Sequence, residues 1–291
     1  SEIEANVFQS RMRKYDHILD WALAGDNLPE EVYRSLVKVT NESLPTLHRY
    51  FKLRGRLLGI DNLRYYDVYP DLVQSDEVFS YERSIETTIV GVAPLGDEYG
   101  ELLKSYVQVD HTHVYPRKGK RSGAYMSGSA YDTAPYMLLN HNDNYNSMST
   151  YAHEVGHALH TILTKANQPF EKSGYSTFIA ETAAIVNELM IQDYVLENAR
   201  NDQERLFYLG TALEQLRGTY FRQTMFAEFE LAIHEEVEKG APLTGDRLTQ
   251  LYGDLLRRYH GHDEGVLTID DECGVEWAFI PHVYSDLYGF Q

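Results

Sequence analysis

The sequence predicts a mainly α-helical fold with one small β-sheet beside a long helix, and three observations predict it. Apolar residues recur at helical spacing along most of the 291-residue chain. Between Gln108 and Asn140 this period gives way to short aromatic and apolar runs set among Gly, Pro and Asn. The helical stripe then returns in Tyr151, Ala152, Val155, Ala158, Leu159 and Ile162.

The elements follow in order. Glu2–Leu23 reads as one helix closed by Gly25-Asp26-Asn27, and Pro29 opens a second that runs to about Leu58, with an interruption near Pro45. Asp61–Val73 is irregular and aromatic. Helices are expected from about Ser75 to Val90 and from Leu95 to Tyr106. Gln108–Tyr115, Ala124–Ser127 and Tyr136–Asn140 supply the strands of the small sheet. Ser147 or Ser149 can cap the next helix, which Asn167-Gln168-Pro169 ends. After a turn at Ser173-Gly174, a helix runs from about Thr177 to Asn198. Asp202 caps a long helix to about Lys239, Thr244 begins another to Tyr259, and a last helix starts near Glu272. There is no internal repeat and no low-complexity run.

Composition narrows the function classes. A net charge of −18 argues against nucleic acid and anionic membranes, and favours cationic or neutral ligands only weakly. No stretch approaches the roughly 20 apolar residues of a membrane span, and no secretory signal opens the chain. A lone Cys273 leaves no internal disulfide framework and suits a reducing cytoplasm. Nothing in the sequence sets an oligomeric state.

The pentapeptide His153-Glu154-Val155-Gly156-His157 fits H-E-x-x-H. Positions four apart share one face of a helix. His153 and His157 can therefore hold one metal ion from one side, with Glu154 beside them to take a proton from a metal-bound water. A zinc site needs a third ligand. Glu181 is the candidate, 24 residues after His157 and set among small apolar residues near the start of the next helix. Glu188, two turns further on the same face, is either the rival ligand or an acceptor that orients a ligand histidine. His160 is also on the metal face, but about 10 Å along the axis from His153; helix packing or outer support of the ligands is the expected role.

Other residues suggest lesser roles. The Gly119–Gly128 loop, with the adjoining sheet edge, could pair with an extended peptide, and Gly123 and Gly128 would let the loop move. Tyr125, Tyr131, Tyr136 and Tyr145 could line a groove. His111 and His113 alternate on a strand, where surface polarity is the expected role. His260 and His262 flank Gly261 in what reads as a polar loop.

The ordered motifs carry a resemblance. Lys120-Arg121-Ser122-Gly123-Ala124-Tyr125, Pro135-Tyr136-Met137-Leu138-Leu139-Asn140, Tyr151 through His160, Gln168-Pro169-Phe170 leading to Phe178-Ile179-Ala180-Glu181, and Trp277 through Tyr284 follow one another along the chain, as does Leu44 through Tyr50 upstream. Together they resemble the thimet oligopeptidase and oligoendopeptidase F group of zinc metallopeptidases, the oligoendopeptidase F branch more closely, over nearly the whole chain. The resemblance implies a zincin-like helical catalytic domain over residues 1–291 and hydrolysis of internal bonds in short oligopeptides. It implies one Zn2+ per chain on His153, His157 and Glu181, with Glu154 as general base and later proton donor. His282, with Tyr284 and Tyr288, would hydrogen-bond the substrate carbonyl and its oxyanion, and Gly123, Tyr125 and Tyr136 would contact substrate. The family's long helical N-terminal region and its residues beyond the last tyrosines have no counterpart in these 291 residues. The alternative is therefore a fragment that binds zinc and peptides without efficient turnover; a metal-free helical scaffold is the third reading.

Overall fold

The computed structural model describes residues 1–284, the side chains of Thr177, Pro281 and His282 excepted. The chain forms two compact units: Val73–Leu209 is one, and Ser1–Leu72 with Gly210–Gln291 is the other. The mainly helical expectation holds, with a single three-stranded sheet among the described residues.

In the split unit, α1 (Glu2–Met12) and α2 (Ile18–Ala24) replace the single helix expected over Glu2–Leu23. Lys14 turns left-handed at φ +66°, and the N–H of Tyr15 reaches back to the Ser10 carbonyl, which closes α1. The Ile18 N–H at the start of α2 is then received by a Glu238 carboxylate oxygen at 2.5 Å. After this break, α2 buries Ile18, Leu19 and Leu23. α3 (Glu30–Leu58) runs straight through Pro45, contrary to the expected interruption. Pro45 removes one backbone donor, but Leu44, Leu47 and Phe51 on either side are buried in the main core and hold the helix together. Gly59, left-handed at φ +68°, ends it.

The helix expected from Asp202 to Lys239 is two, α8 (Asp202–Leu216) and α9 (Arg222–Glu238), separated by a π-helical turn at Arg217–Phe221. Its cap is Asn201, whose side-chain oxygen accepts the Glu204 N–H at 3.0 Å, and not Asp202. α10 (Gly245–His260) is capped by Thr244 as the sequence suggests, and the last helix expected, near Glu272, is a 3-10 helix at Asp271–Phe279, followed by a 3-10 turn at Pro281–Tyr284. The core of this unit gathers Phe51, Val68, Phe229, Ile233, Tyr252, Leu256 and Tyr259. Glu276 is buried in it because Arg222 pairs with it and the Tyr65 and Tyr252 hydroxyls donate to it at 2.7 and 2.8 Å.

His260 is not a loop residue. It is the last residue of α10, buried against the rings of Phe51 and Tyr65, with its Nδ1 2.9 Å from the Leu256 carbonyl. His262 accepts the Ile269 N–H on Nδ1.

The unit Val73–Leu209 is built around α6 (Tyr145–Asn167) and α7 (Thr177–Glu197), with α4 (Tyr81–Gly91) and α5 (Asp97–Val107) packed beside them. α4 starts at Tyr81, six residues later than expected, because Ser80 caps it by accepting the Arg83 N–H. The sheet has the order β1 (Thr112–His113), β3 (Tyr136–Leu138), β2 (Tyr125–Ser127), with β1 parallel and β2 antiparallel to β3. Met137 and Leu139 donate their N–H groups to β1, to His111 and His113 carbonyls. Tyr136 and Leu138 thus face β2, and the backbone of Met126 in the middle of β2 points to the open edge.

Burial holds the His260 pKa down, to about 3 from an ordinary 6.5. Between these values the unfolded chain binds the proton and the folded chain does not, so stability falls as pH drops from about 6.5 toward 3. In thermal melts, His260→Gln is expected to lower stability at pH 7 yet lose less on acidification to pH 5 than the parent. An equal loss in both would remove His260 from the acid response.

Candidate metal centre

α6 is set by its first turn. Asn144, not Ser147 or Ser149, is the cap: its side-chain oxygen accepts the Ser147 N–H at 2.9 Å. Ser147 instead turns its hydroxyl back to the Asn142 N–H. The stripe of Met148, Tyr151, Ala152, Val155, Ala158 and Leu159 is buried, which leaves His153 and His157 half-buried on the opposite side.

α7 lies against α6 at Gly156. A Cβ on Gly156 would sit 2.6 Å from the Ala184 Cα and 2.8 Å from the Ala183 carbonyl oxygen, so only glycine fits. Two polar contacts fasten the same pair of helices. Buried Asn187 donates from Nδ2 to the Ala152 carbonyl at 3.2 Å, and the Tyr99 hydroxyl holds its Oδ1 at 2.9 Å. Ser149 donates to Glu188 Oε2 at 3.0 Å. Glu181, one turn before Ala184, is thereby brought onto the histidines.

His153, His157 and Glu181 each present one ligand atom, and the three lie within 4.8 Å of one another; they form the one such group among the described residues. His153 Nε2 is 3.1 Å from His157 Nε2 and 3.2 Å from Glu181 Oε2, and His157 Nε2 is 3.6 Å from the same oxygen. Ligands about 2.0–2.1 Å from a tetrahedral ion stand about 3.3 Å apart, so the triangle matches three corners around one divalent ion. Glu188 takes the other side of the ring: His153 Nδ1 is 2.5 Å from Glu188 Oε1. Donation from Nδ1 leaves Nε2 free to face an ion. The two readings of Glu188 left open by the sequence thus separate, in favour of the acceptor that orients His153.

Burial alone would lower the His153 pKa, but its contacts with Glu181 and Glu188 outweigh this and push it up to about 10. The same histidines hold the Glu181 carboxyl far below the usual carboxylate range. Burial raises the Glu154 carboxyl, an effect that His153 and His157 offset in part. Glu154 is buried, accepts the backbone N–H of Met126, and has no partner for Oε2 among the described residues. A buried carboxylate oxygen with no donor is costly, and this one belongs to the residue between the two histidines.

The remaining sequence-derived positions divide. Tyr125 and Tyr136 are exposed on β2 and β3, Tyr136 stacked on His111 at 4.4 Å. Gly123 is left-handed at φ +83° in the loop before β2. Gly128 is no free hinge: a Cβ there would meet the Thr161 methyl at 2.7 Å, so it lets β2 lie close to α6. Tyr145 is not a groove residue but core, packed on Phe79, Phe207 and Tyr208. The Tyr131 hydroxyl donates to the Gln168 carbonyl at 2.7 Å. His160 stacks on Tyr175 at 4.0 Å and belongs to no metal group. In the other unit, the Tyr284 hydroxyl donates to the Trp277 carbonyl at 3.1 Å. His282 lies in the 3-10 turn Pro281–Tyr284, its side chain outside the described set, and Tyr288 is outside the described residues.

Sequence reasoning passed over Gly156 and Asn187. The glycine was readable: a residue with no side chain inside a metal-motif helix points to a close neighbour.

Residues 2–291 match the model of Peptidase family M3. The chain belongs to this family. It is 43% identical to "Oligopeptidase PepF" of Bacillus subtilis over 290 residues, which are 99% of this chain and 43% of that protein. It is 40% identical to "Group B oligopeptidase PepB" of Streptococcus agalactiae, covering 100% of this chain and 48% of that one. The crystal structure of oligoendopeptidase-F from Enterococcus faecium superposes with a TM-score of 0.68 at 30% identity, over 99% of this chain and 44% of that chain. The chain thus spans less than half the length of the relatives it matches. No described helix is long and apolar enough to cross a membrane.

Gly156→Ala is expected to force α7 away from α6, lower the melting temperature and weaken divalent-metal affinity by roughly tenfold or more. Parent-like values in a melt and a metal titration would show slack that the backbone distances do not have.

Proposed function

We propose that the chain is the catalytic part of a zinc-dependent metalloendopeptidase that cleaves internal bonds of short oligopeptides. The observation that carries this is the triangle of His153, His157 and Glu181 with the unpartnered Glu154 oxygen beside it. Two imidazoles and one carboxylate suit zinc and leave a fourth position open. When bound, zinc supplies Lewis acidity, which polarises a scissile carbonyl and acidifies water.

The chain's own residues do the rest. Glu154 accepts a proton from the attacking water and returns it to the leaving nitrogen. Its raised pKa suits the second step, and its contact with Met126 fixes one oxygen so that the other faces the site. Glu188 holds the His153 ring in the tautomer that presents Nε2. The open edge of β2 offers the Met126 carbonyl to an extended peptide, its N–H being given to Glu154, and such main-chain hydrogen bonding would bind many sequences alike. Tyr125 stands on the exposed face beside that edge, Tyr136 is exposed on the central strand β3, and Gly123 gives the loop before β2 the left-handed turn it needs. The family resemblance assigns His282, Tyr284 and Tyr288 to the developing oxyanion, where fixed donors stabilise charge.

Glu154→Gln is expected to keep metal and lose cleavage by at least about 100-fold, since an amide cannot take the water's proton. Cleavage at the parent rate would remove Glu154 as the base. Elemental analysis beside a peptide assay, before and after chelation, tests the whole reading: one zinc per chain with chelator-sensitive cleavage supports it, zinc without cleavage supports binding without turnover, and no zinc sinks both. Glu181→Ala should weaken zinc binding more than Glu188→Ala does; the reverse order in a titration would exchange their roles.

A further inference from the structure

The loop between β1 and β2 reads Arg117-Lys118-Gly119-Lys120-Arg121, four cations in five residues of a chain whose net charge is −18. None of the four forms an ion pair among the described residues, although most other arginines do. The loop is held in shape. Lys120 donates from Nζ to the His113 and Tyr115 carbonyls at 2.9 and 2.8 Å, and Asn140 donates from Nδ2 to the Arg121 and Gly123 carbonyls at 3.0 and 2.8 Å. Gly119 and Gly123 take the left-handed turns this requires, at φ +81° and +83°. Lys120 is thus committed to the loop, while Arg117, Lys118 and Arg121 stand exposed from it, with the Arg121 guanidinium 5.9 Å from the Tyr125 ring centre. The field they set up is felt nearby: His113, lowered first by burial, is lowered further by Lys120 and Arg117.

Position gives this charge a use. The loop runs directly into β2, whose middle residue Met126 donates to Glu154. We propose that Arg117, Lys118 and Arg121 form a recognition site for aspartate and glutamate side chains of a peptide laid along the open edge of β2, at its Tyr125 end. An extended chain advances about 3.3 Å per residue, which places such an acid about two to five residues from the bond held at Glu154. Guanidinium groups bind carboxylates in paired hydrogen bonds. Charges beyond about 10 Å are screened at ordinary salt, so Arg121, placed over the Tyr125 ring at the entry to β2, outweighs the distant acidic surface for a ligand at this end of the edge. The loop therefore reverses, locally, the preference for cationic or neutral peptides that net charge alone suggests. The inference rests on the peptide-cleft reading above.

The test uses the zinc-loaded chain and a pair of fluorescent decapeptides, one with two glutamates near one end and one with glutamines in their place, read by anisotropy. The parent is expected to bind the acidic peptide roughly 3–10-fold more tightly at low salt. That ratio should fall below about twofold in Arg117→Gln/Lys118→Gln/Arg121→Gln and at about 0.5 M salt, and Arg121→Glu should favour a lysine-bearing peptide instead. A ratio near one in the parent, or one that survives the triple substitution, overturns the proposal while leaving the peptide reading intact. Failure to bind either peptide sinks the peptide reading and this one with it. Displacement by a single-stranded oligonucleotide at lower concentration than by unlabelled acidic peptide would make the loop a general polyanion site and overturn it too.

Discussion

The close approach of α6 and α7 at Gly156 is the constraint on which the candidate site depends. Two histidines one turn apart offer two ligands from one helix, and a third must come from elsewhere. It comes from α7, whose backbone can lie within reach only because position 156 has no side chain. The contact between Ala152 and Asn187, and that between Ser149 and Glu188, both fall on one side of this approach and fix its register. A shift of two turns along α7 would bring Glu188 to the place Glu181 occupies.

This arrangement also explains a cost. Three carboxylates, Glu154, Glu181 and Glu188, surround two imidazoles in a half-buried place. Such a group is poorly balanced in low dielectric unless a cation joins it. The rise at His153 comes from the two carboxylates beside it, whereas the fall at Glu181 comes from the imidazoles that pair with it. The donorless oxygen of Glu154 marks the carboxylate left short of a partner. A divalent ion would relieve all of them at once, and metal affinity would then add to the stability of this unit.

The small sheet links the site to a surface. β2 sits on α6 through Gly128 and Met126, so the strand edge and the metal triangle are positioned by one helix. The basic loop enters that strand from one end, held by Lys120 and Asn140 in a shape that does not depend on a ligand. An edge that reads main chain and a loop that reads charge are compatible: the first gives tolerance, the second a bias.

Much of this was legible along the chain because it is local. Helix period, the aromatic sheet segments, the pentapeptide His153–His157, and the turn chemistry ahead of Thr177 depend on neighbours a few residues apart, and the structure shows the sheet segments, the pentapeptide on α6 and the start of α7 where expected. Glu181 was legible as a carboxylate at the start of a small-residue helix. What the sequence left to the tertiary structure is set by partners far along the chain. Glu238 receives Ile18 and helps divide α1 from α2, and the buried leucines beside Pro45 carry α3 through a proline. The rings of Phe51 and Tyr65 enclose His260, which reads as a loop residue only while α10 is thought to stop before it. Glu188 stayed a rival to the candidate Glu181 until His153 showed which of its nitrogens each carboxylate meets, a choice made by the angle and depth of helix packing and not by spacing.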